Sequence, residues 1–354
     1  MRLPLTCVTG DRYKPCVGTW TVVDGVAARA EPFTATKGRI MIETVLGPIR
    51  PEQMQACLTH EHLTLYGTNE ASITIREQAL EIIVPRLREL REKYHCNAMV
   101  ECTLSGSTGR DLVTYAEIAR QAKFHVIAST GFYTVARSPW WMKDASVPQL
   151  VRRWQAEVRR GMDGTGIRPG VLKATAETEL SDRRHRHHGL VTRWFEALAR
   201  TQQATGLPIT THLGDDQPVA QLQALTKYGV APAAITIGHA DGHGPKAVDQ
   251  LLMVADQGAN LSFNCAGLAT KQGVRRDMAL VKLLVDRGYL GQITLSVDAG
   301  FWPEVSLRLG VGDPKRTYRC VFTHLVPMLK KLGITPDQIQ QMLVANPRRH
   351  LDLK

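Results

Sequence analysis

The chain has 354 residues, 44 Lys plus Arg against 33 Asp plus Glu, a formal net charge of +11 and 44% hydrophobic residues. That length suits one large α/β barrel or two average domains, and core size is not limiting. The positive charge is scattered and no nucleic-acid motif accompanies it; no apolar stretch approaches the roughly 18 residues of a membrane span, and no secretory h-region is present, so neither nucleic acid nor membrane is expected as a partner.

Residues 1–40 mix Gly, Pro, Thr and isolated charges without periodicity and read as a poorly structured N-terminal extension, whereas residues 41–354 read as a single domain. From Met41 onward, short β-branched apolar runs alternate with stretches of helical spacing. The strand candidates, in chain order, are Ala56–Thr59, Ala98–Glu101, His125–Thr130, Gly170–Lys173, Pro208–His212, Ala234–His239, Asn260–Phe263 and Gln292–Asp298. Between them lie helical patterns, the first of which contains Pro85 and should kink there. Glycines in TGL, YGV, QGA, RGY and KLG are placed to close several helices. The dense basic stretch Arg183–His188 precedes an amphipathic segment and reads as a solvated helix entrance. The seven cysteines are odd in number, widely spaced and without a CxxC pair, the pattern of reduced thiols in a cytoplasmic protein.

Six polar residues follow apolar runs. The runs ACLTHEH, GVLKA, LPITTH, AAITIGH and QITLSVD carry His60 and His62, Lys173, His212, His239 and Asp298 to places where a buried strand should meet a loop. Barrel enzymes keep their chemistry at such places, and imidazole and carboxylate are ligands of divalent zinc. An open doubly wound sheet offers one crevice, but these residues end five different strands and must converge to bind together, which favours a closed (β/α)8 barrel. His60 and His62 share a strand face, being two apart, while Glu61 points away and supports the fold. Each histidine alone could be a satisfied core residue, and Asp298 an ordinary helix cap. Lys173 is the sharper clue. Unless it snorkels to the rim, its ammonium is buried, burial lowers its pKa, and the neutral amine can take up carbon dioxide as a carbamate that bridges two cations.

The phrases TVLGPI, LTHEHL, GRDL, STGFY, TGLPITTH, IGHAD, LSVD and ANPRR, in this order over residues 43 to about 350, resemble the phosphotriesterase family of the amidohydrolase superfamily. The resemblance implies a TIM barrel and two divalent ions, zinc first with manganese, cobalt or iron as substitutes, bridged by carboxylated Lys173 and hydroxide. It assigns His60, His62 and Asp298 to one ion and His212 and His239 to the other, with Lys173 and Asp298 as the catalytic residues. A zinc-dependent hydrolase of a small-molecule ester is implied, acting on a lactone or carboxylic ester with some phosphotriester activity. An amide or phosphorylated substrate, or a metal-retaining protein without turnover, is the alternative. A single-metal deaminase would share the HxH pair and the aspartate but needs no bridging lysine. Homodimer formation is left open.

The segment SFNCAGLATKQG departs from the family, placing Asn264 and Cys265 where its lactonases often carry aspartate and arginine. GSTGRD lacks the GK[ST] of a phosphate loop and reads as a turn capping a helix. Tyr133 matches a residue lining the metal pocket, and Phe301 and Trp302 after the last strand, with Phe132, Trp140 and Trp141 after the third, suggest an aromatic mouth for a neutral, hydrophobic ester. Arg137, Lys143, Arg308, Lys315 and Arg316 lie in the same loops, where they either seat a substrate anion or form a solvated rim.

Overall fold

The computed structural model describes residues 41–64, 73–105, 109–213, 218–242, 248–264, 268, 270–300 and 315–352. The expected extension 1–40, Cys265, Phe301, Trp302 and Arg308 lie outside the described residues.

The described chain opens on an antiparallel hairpin, β1 (Ile42–Thr44) and β2 (Gly47–Ile49), which the sequence pattern did not separate from the first strand region. Eight strands then form one parallel sheet in chain order: β3 (Ala56–Glu61), β4 (Cys96–Glu101), β5 (His125–Gly131), β6 (Val171–Ala176), β7 (Ile209–Leu213), β8 (Ile235–Ile237), β9 (Asn260–Phe263) and β10 (Ile293–Leu295). All eight expected strands are present. Helices α1 (Ile73–Tyr94), α2 (Leu112–Ala122), α3 (Trp141–Asp144), α4 (Val147–Arg160), α5 (His188–Thr205), α6 (Pro218–Thr226), α7 (Val248–Asp256) and α8 (Lys271–Asp286) occupy the crossovers. The architecture is a TIM barrel whose sheet all but closes on itself.

The closing seam between β3 and β10 combines a backbone bond with side-chain ones. His62 N donates to Ala299 O at 2.8 Å, and His60 N donates to Ser296 Oγ at 2.9 Å. The buried Glu61 carboxyl lies 2.6 Å from Ser296 Oγ and accepts the amides of Val297 at 2.9 Å and Ala299 at 2.6 Å. Glu61 therefore ties the first barrel strand to the last and holds the loop that carries Asp298. Burial pushes its pKa up to about 8 despite these donors.

Alternation along the strands sorts the core into two parts. In β6, Leu172 and Ala174 join the large core shared with the helices, whereas Val171 joins a smaller cluster with Ile42, Ile49, Met54 and Leu351. Lys173 and Thr175 share the face of Val171 and so point into the barrel. The same rule puts Thr294 and Ser296 of the β10 region inside, and Thr59 Oγ1 donates across to Thr294 at 2.9 Å. In β3 the rule fails locally. The register against β4 shifts between Leu58 and Glu61, so Leu58 belongs to the large core while His60, two residues on, meets Lys173 inside the barrel.

Several local expectations hold. Asp111 of the GRDL phrase caps α2, its carboxylate accepting from Thr114 N at 3.2 Å. Gly206 ends α5 in the left-handed region at φ 71°. Arg183, Arg184 and Arg186 are exposed immediately before α5, as a solvated helix entrance requires. Helix α1 runs continuously through Pro85, whose ring lies on an exposed face.

Gly131 closes β5 where no side chain fits. Its φ is +139°, and a Cβ there would lie 2.0 Å from Lys173 O. Gly131→Ala is accordingly expected to cost about 2 kcal/mol or more, because the clash is with backbone and the dihedral is unfavourable for any L side chain. Urea denaturation of the two proteins measures it, and an unchanged midpoint would show that β5 and β6 can separate freely at this point.

Candidate metal centre

The six polar residues converge on the C-terminal end of the barrel, though not all from strand ends. His60 lies within β3 and His62 one residue after it; His212 is in β7; His239 and Asp298 follow β8 and β10. Lys173 corrects the expectation that it closes its strand, since β6 runs on to Ala176 and pairs Lys173 with Gly131 and Thr210. Being held in a strand on both sides, its backbone cannot swing the ammonium toward solvent. Its residue exposure is only 1%.

The ligand atoms of His60, His212 and His239 all lie within 4.8 Å of one another, and so do those of His60, His62 and Asp298. His60 thus stands in both groups. Asp298 Oδ1 is 3.1 Å from His62 Nε2 and 3.9 Å from His60 Nε2. The His212 and His239 rings are 4.3 Å apart, and those of His60 and His239 are 4.8 Å apart. Lys173 Nζ sits 2.9 Å from His60 Nε2, and among the described residues it has no carboxylate within ion-pair distance.

The protonation states suit cation binding. Burial, joined by the charge of Lys173, holds His60 well below the usual imidazole range, and burial with His239 does the same for His212. His239 is brought down to about 4, chiefly by burial. Burial also lowers Lys173. For Asp298 burial acts upward, but the hydrogen bond from His62 and the nearby imidazoles outweigh it and keep the carboxyl well below its ordinary value. Neutral imidazoles and an ionised carboxylate are the forms that ligate metals.

Two features unseen in the sequence orient these groups. Thr103 Oγ1 lies 3.1 Å from Thr64 O and 2.7 Å from His62 Nδ1, bracing the imidazole from behind. That contact orients the ring with Nε2 toward Asp298, a second contact typical of metal-binding histidines. The backbones of His239 and Asp298 lie at φ 52° and 51°, in the left-handed region where non-glycine residues are uncommon. Neither signal is local in the sequence: Thr103 is distant in the chain from His62, and φ follows from loop packing.

The fit to metal can be tested on the side chains alone. His239 Nε2 is buried with no hydrogen-bond partner, and so is His60 Nδ1. An orphaned buried nitrogen is costly, and a cation beside His239 Nε2 would remove that cost. The donor set of imidazoles, a carboxylate and a buried amine fits a pair of divalent ions.

Among the aromatic residues expected at the mouth, Tyr133 alone is placed at this centre by the described structure. Its hydroxyl is 3.4 Å from His212 Nε2 and its ring 5.0 Å from the imidazole. Phe132, by contrast, is buried among Trp154, Trp194 and Phe195, because β5 alternation turns it outward against α4 and α5. Trp141 stands under the Arg153 guanidinium, 5.3 Å from its ring centre, and Trp140 is 77% exposed. The expected aromatic wall from this loop therefore reduces to Tyr133.

The chain matches the model of the phosphotriesterase family over residues 40–351. It is 26% identical over 294 residues to a phosphotriesterase homology protein of Escherichia coli, covering 82% of this chain and 95% of that one. It is 24% identical over 368 residues to an N-acetyltaurine hydrolase of Salmo salar, covering 91% and 100% respectively. Among solved structures, a mutant of a Deinococcus radiodurans PTE-like lactonase superposes with a TM-score of 0.76 at 27% identity, covering 88% of this chain and 99% of that one. A barrel of this topology, with these two overlapping ligand groups at one end and a family match spanning nearly all of it, places the chain in the phosphotriesterase family of the amidohydrolase superfamily.

Proposed function

We propose that this protein is a zinc-dependent hydrolase of a small-molecule ester, a lactone or carboxylic ester, with slower activity on aryl phosphotriesters. The observation that carries the reading is Lys173, a buried lysine lacking a carboxylate partner among the described residues and lying 2.9 Å from a histidine common to both ligand groups. Its close partners, the His60 imidazole and the Cys102 thiol, offer an ammonium no ordinary counter-charge. Burial lowers the lysine's pKa and so favours the neutral amine, which could add to carbon dioxide, forming an N–C bond and releasing one proton, to give a carbamate that would help hold the two ions. His60, His62 and Asp298 would hold one ion and His212 and His239 the other. When bound, such a pair acidifies water and polarises the oxygen of an ester.

The chain's own groups complete the chemistry. Asp298, ionised and open to the cleft, accepts a proton from the attacking water and passes it toward the leaving group. Tyr133 keeps its proton, its pKa pushed up to about 12 by burial and then by Asp298, so its hydroxyl can donate to a substrate oxygen beside His212. His62 is held for its task by Thr103.

A lactonase among the similar structures supports the ester reading, while the similarity to an N-acetyltaurine hydrolase supports an amide as the second reading. Elemental analysis and steady-state assays on one preparation test both. About two divalent ions per chain are expected, with faster turnover of a lactone or aryl ester than of an N-acetyl amide or aryl phosphotriester. One ion or none after growth in zinc counts against the paired centre, and exclusive cleavage of the amide transfers the site to the second reading.

A further inference from the structure

Beyond the last barrel strand, the described chain resumes at Lys315 and is immediately pinned to the rim of the centre. The buried Tyr318 donates its hydroxyl to His62 O at 2.7 Å. Arg316, half-buried, donates Nη1 to Val297 O at 3.2 Å, one residue before Asp298. Two anchors therefore tie this segment to the seam that carries His62 and Asp298, with the Arg316 guanidinium bonded one residue from Asp298 along the chain. Among the described residues no carboxylate lies within ion-pair distance of it, although Arg76, Arg110, Arg168 and Arg276 elsewhere each have one. Its charge is felt inside the centre, where it helps lower the His239 pKa.

A guanidinium cannot shed its proton in a protein, and its remaining N–H donors present a planar fork suited to an oxyanion. Two divalent cations held against one carboxylate, one carbamate and one hydroxide would leave the centre with net positive charge, to which Arg316 adds. An anion on the substrate relieves that repulsion and uses the fork. The loop after β5 brings Arg137 near the Tyr133 hydroxyl, with Glu177 acting on it in the opposite sense. Among the described residues of that loop, Phe132 turns into the core and Trp141 lies against Arg153.

Resting on the hydrolase reading above, we propose that Arg316 is a specificity-determining residue that binds an anionic group, carboxylate or phosphate, on the part of the substrate not being cleaved. The substrate is then an acidic ester or lactone.

Matched pairs test this on the metal-loaded full-length protein: mono-4-nitrophenyl glutarate against 4-nitrophenyl butyrate, and a phosphorylated sugar lactone against its unphosphorylated parent. The expected result is a preference of about tenfold or more in kcat/KM for the acidic member of one pair, expressed mainly in KM. Which pair shows it distinguishes carboxylate from phosphate. Arg316→Met brings the ratio toward parity, and Arg316→Lys, which keeps the charge without the fork, retains part of it. Calorimetry gives a readout free of turnover: glutarate or inorganic phosphate should bind wild type about tenfold more tightly than Arg316→Met, with thermal midpoints confirming that both proteins are folded. Equal kcat/KM within both pairs, or a preference that survives Arg316→Met, overturns the proposal and leaves the hydrolase reading standing. Binding of glutarate or phosphate that depends on Arg316, in a protein that turns over no ester or lactone, overturns the hydrolase reading and leaves the anion site standing.

Discussion

Replacing Asp298 by asparagine is expected to lower kcat by about 100-fold or more, with KM changed by less than about threefold. The amide has the volume of the carboxylate and keeps an oxygen able to meet His62 Nε2, 3.1 Å away in the wild type. It also tolerates the left-handed backbone at this position, since asparagine and aspartate are the side chains that most readily adopt it. What is lost is the negative charge and the capacity to take a proton. A substrate pocket read by other residues should bind as before, so the loss should fall on the chemical step. Steady-state kinetics at saturating zinc, with bound metal measured on the same sample, separates this from simple metal loss. A rise in KM at unchanged kcat would remove Asp298 from proton transfer and leave it a ligand or a rim residue.

Lys173→Ala is expected to abolish measurable turnover and to reduce bound metal well below two ions per chain, because the substitution removes the proposed bridge between the two ligand groups. A short carboxylic acid such as propionate, small enough to enter the space vacated by the side chain, should restore part of both metal and activity. A second effect runs in the opposite direction. Without metal, wild type buries an amine that has no carboxylate partner among the described residues, a situation proteins avoid. Metal-free Lys173→Met should therefore match or exceed metal-free wild type in thermal midpoint while losing the stabilisation that zinc gives wild type. Differential scanning calorimetry with and without zinc measures both, and intact mass or diffraction on the active enzyme reports the carbamate. A bare lysine in the metal-loaded, fully active protein would refute the bridge.

The strand positions, the alternation that makes a barrel and the six polar residues behind apolar runs were legible in the sequence because each is a local pattern. A β-branched run such as ITLSV or AAITI announces burial within a few residues, and a histidine or aspartate immediately after it stands out against that run. Even the buried lysine was legible, since GVL on one side and ATA on the other leave it no charged neighbour. Other properties were decided only when distant segments met. Phe132 and Tyr133 are adjacent in sequence, yet one enters the core and the other the metal centre, because the pleat of β5 turns them to opposite faces. The inward turn of His60 depends on a register shift against β4, and its placement next to Lys173 joins residues 113 apart in the chain. Glu61 closes the barrel through Ser296 and the amides of Val297 and Ala299, Thr103 orients His62 from the segment after β4, and Arg316 meets the seam at the Val297 carbonyl. None of these contacts has a periodicity or a composition to betray it. They are set by hydrogen bonds across the barrel, which form only when the eight strands have closed around one axis and brought their ends within a few ångströms of each other.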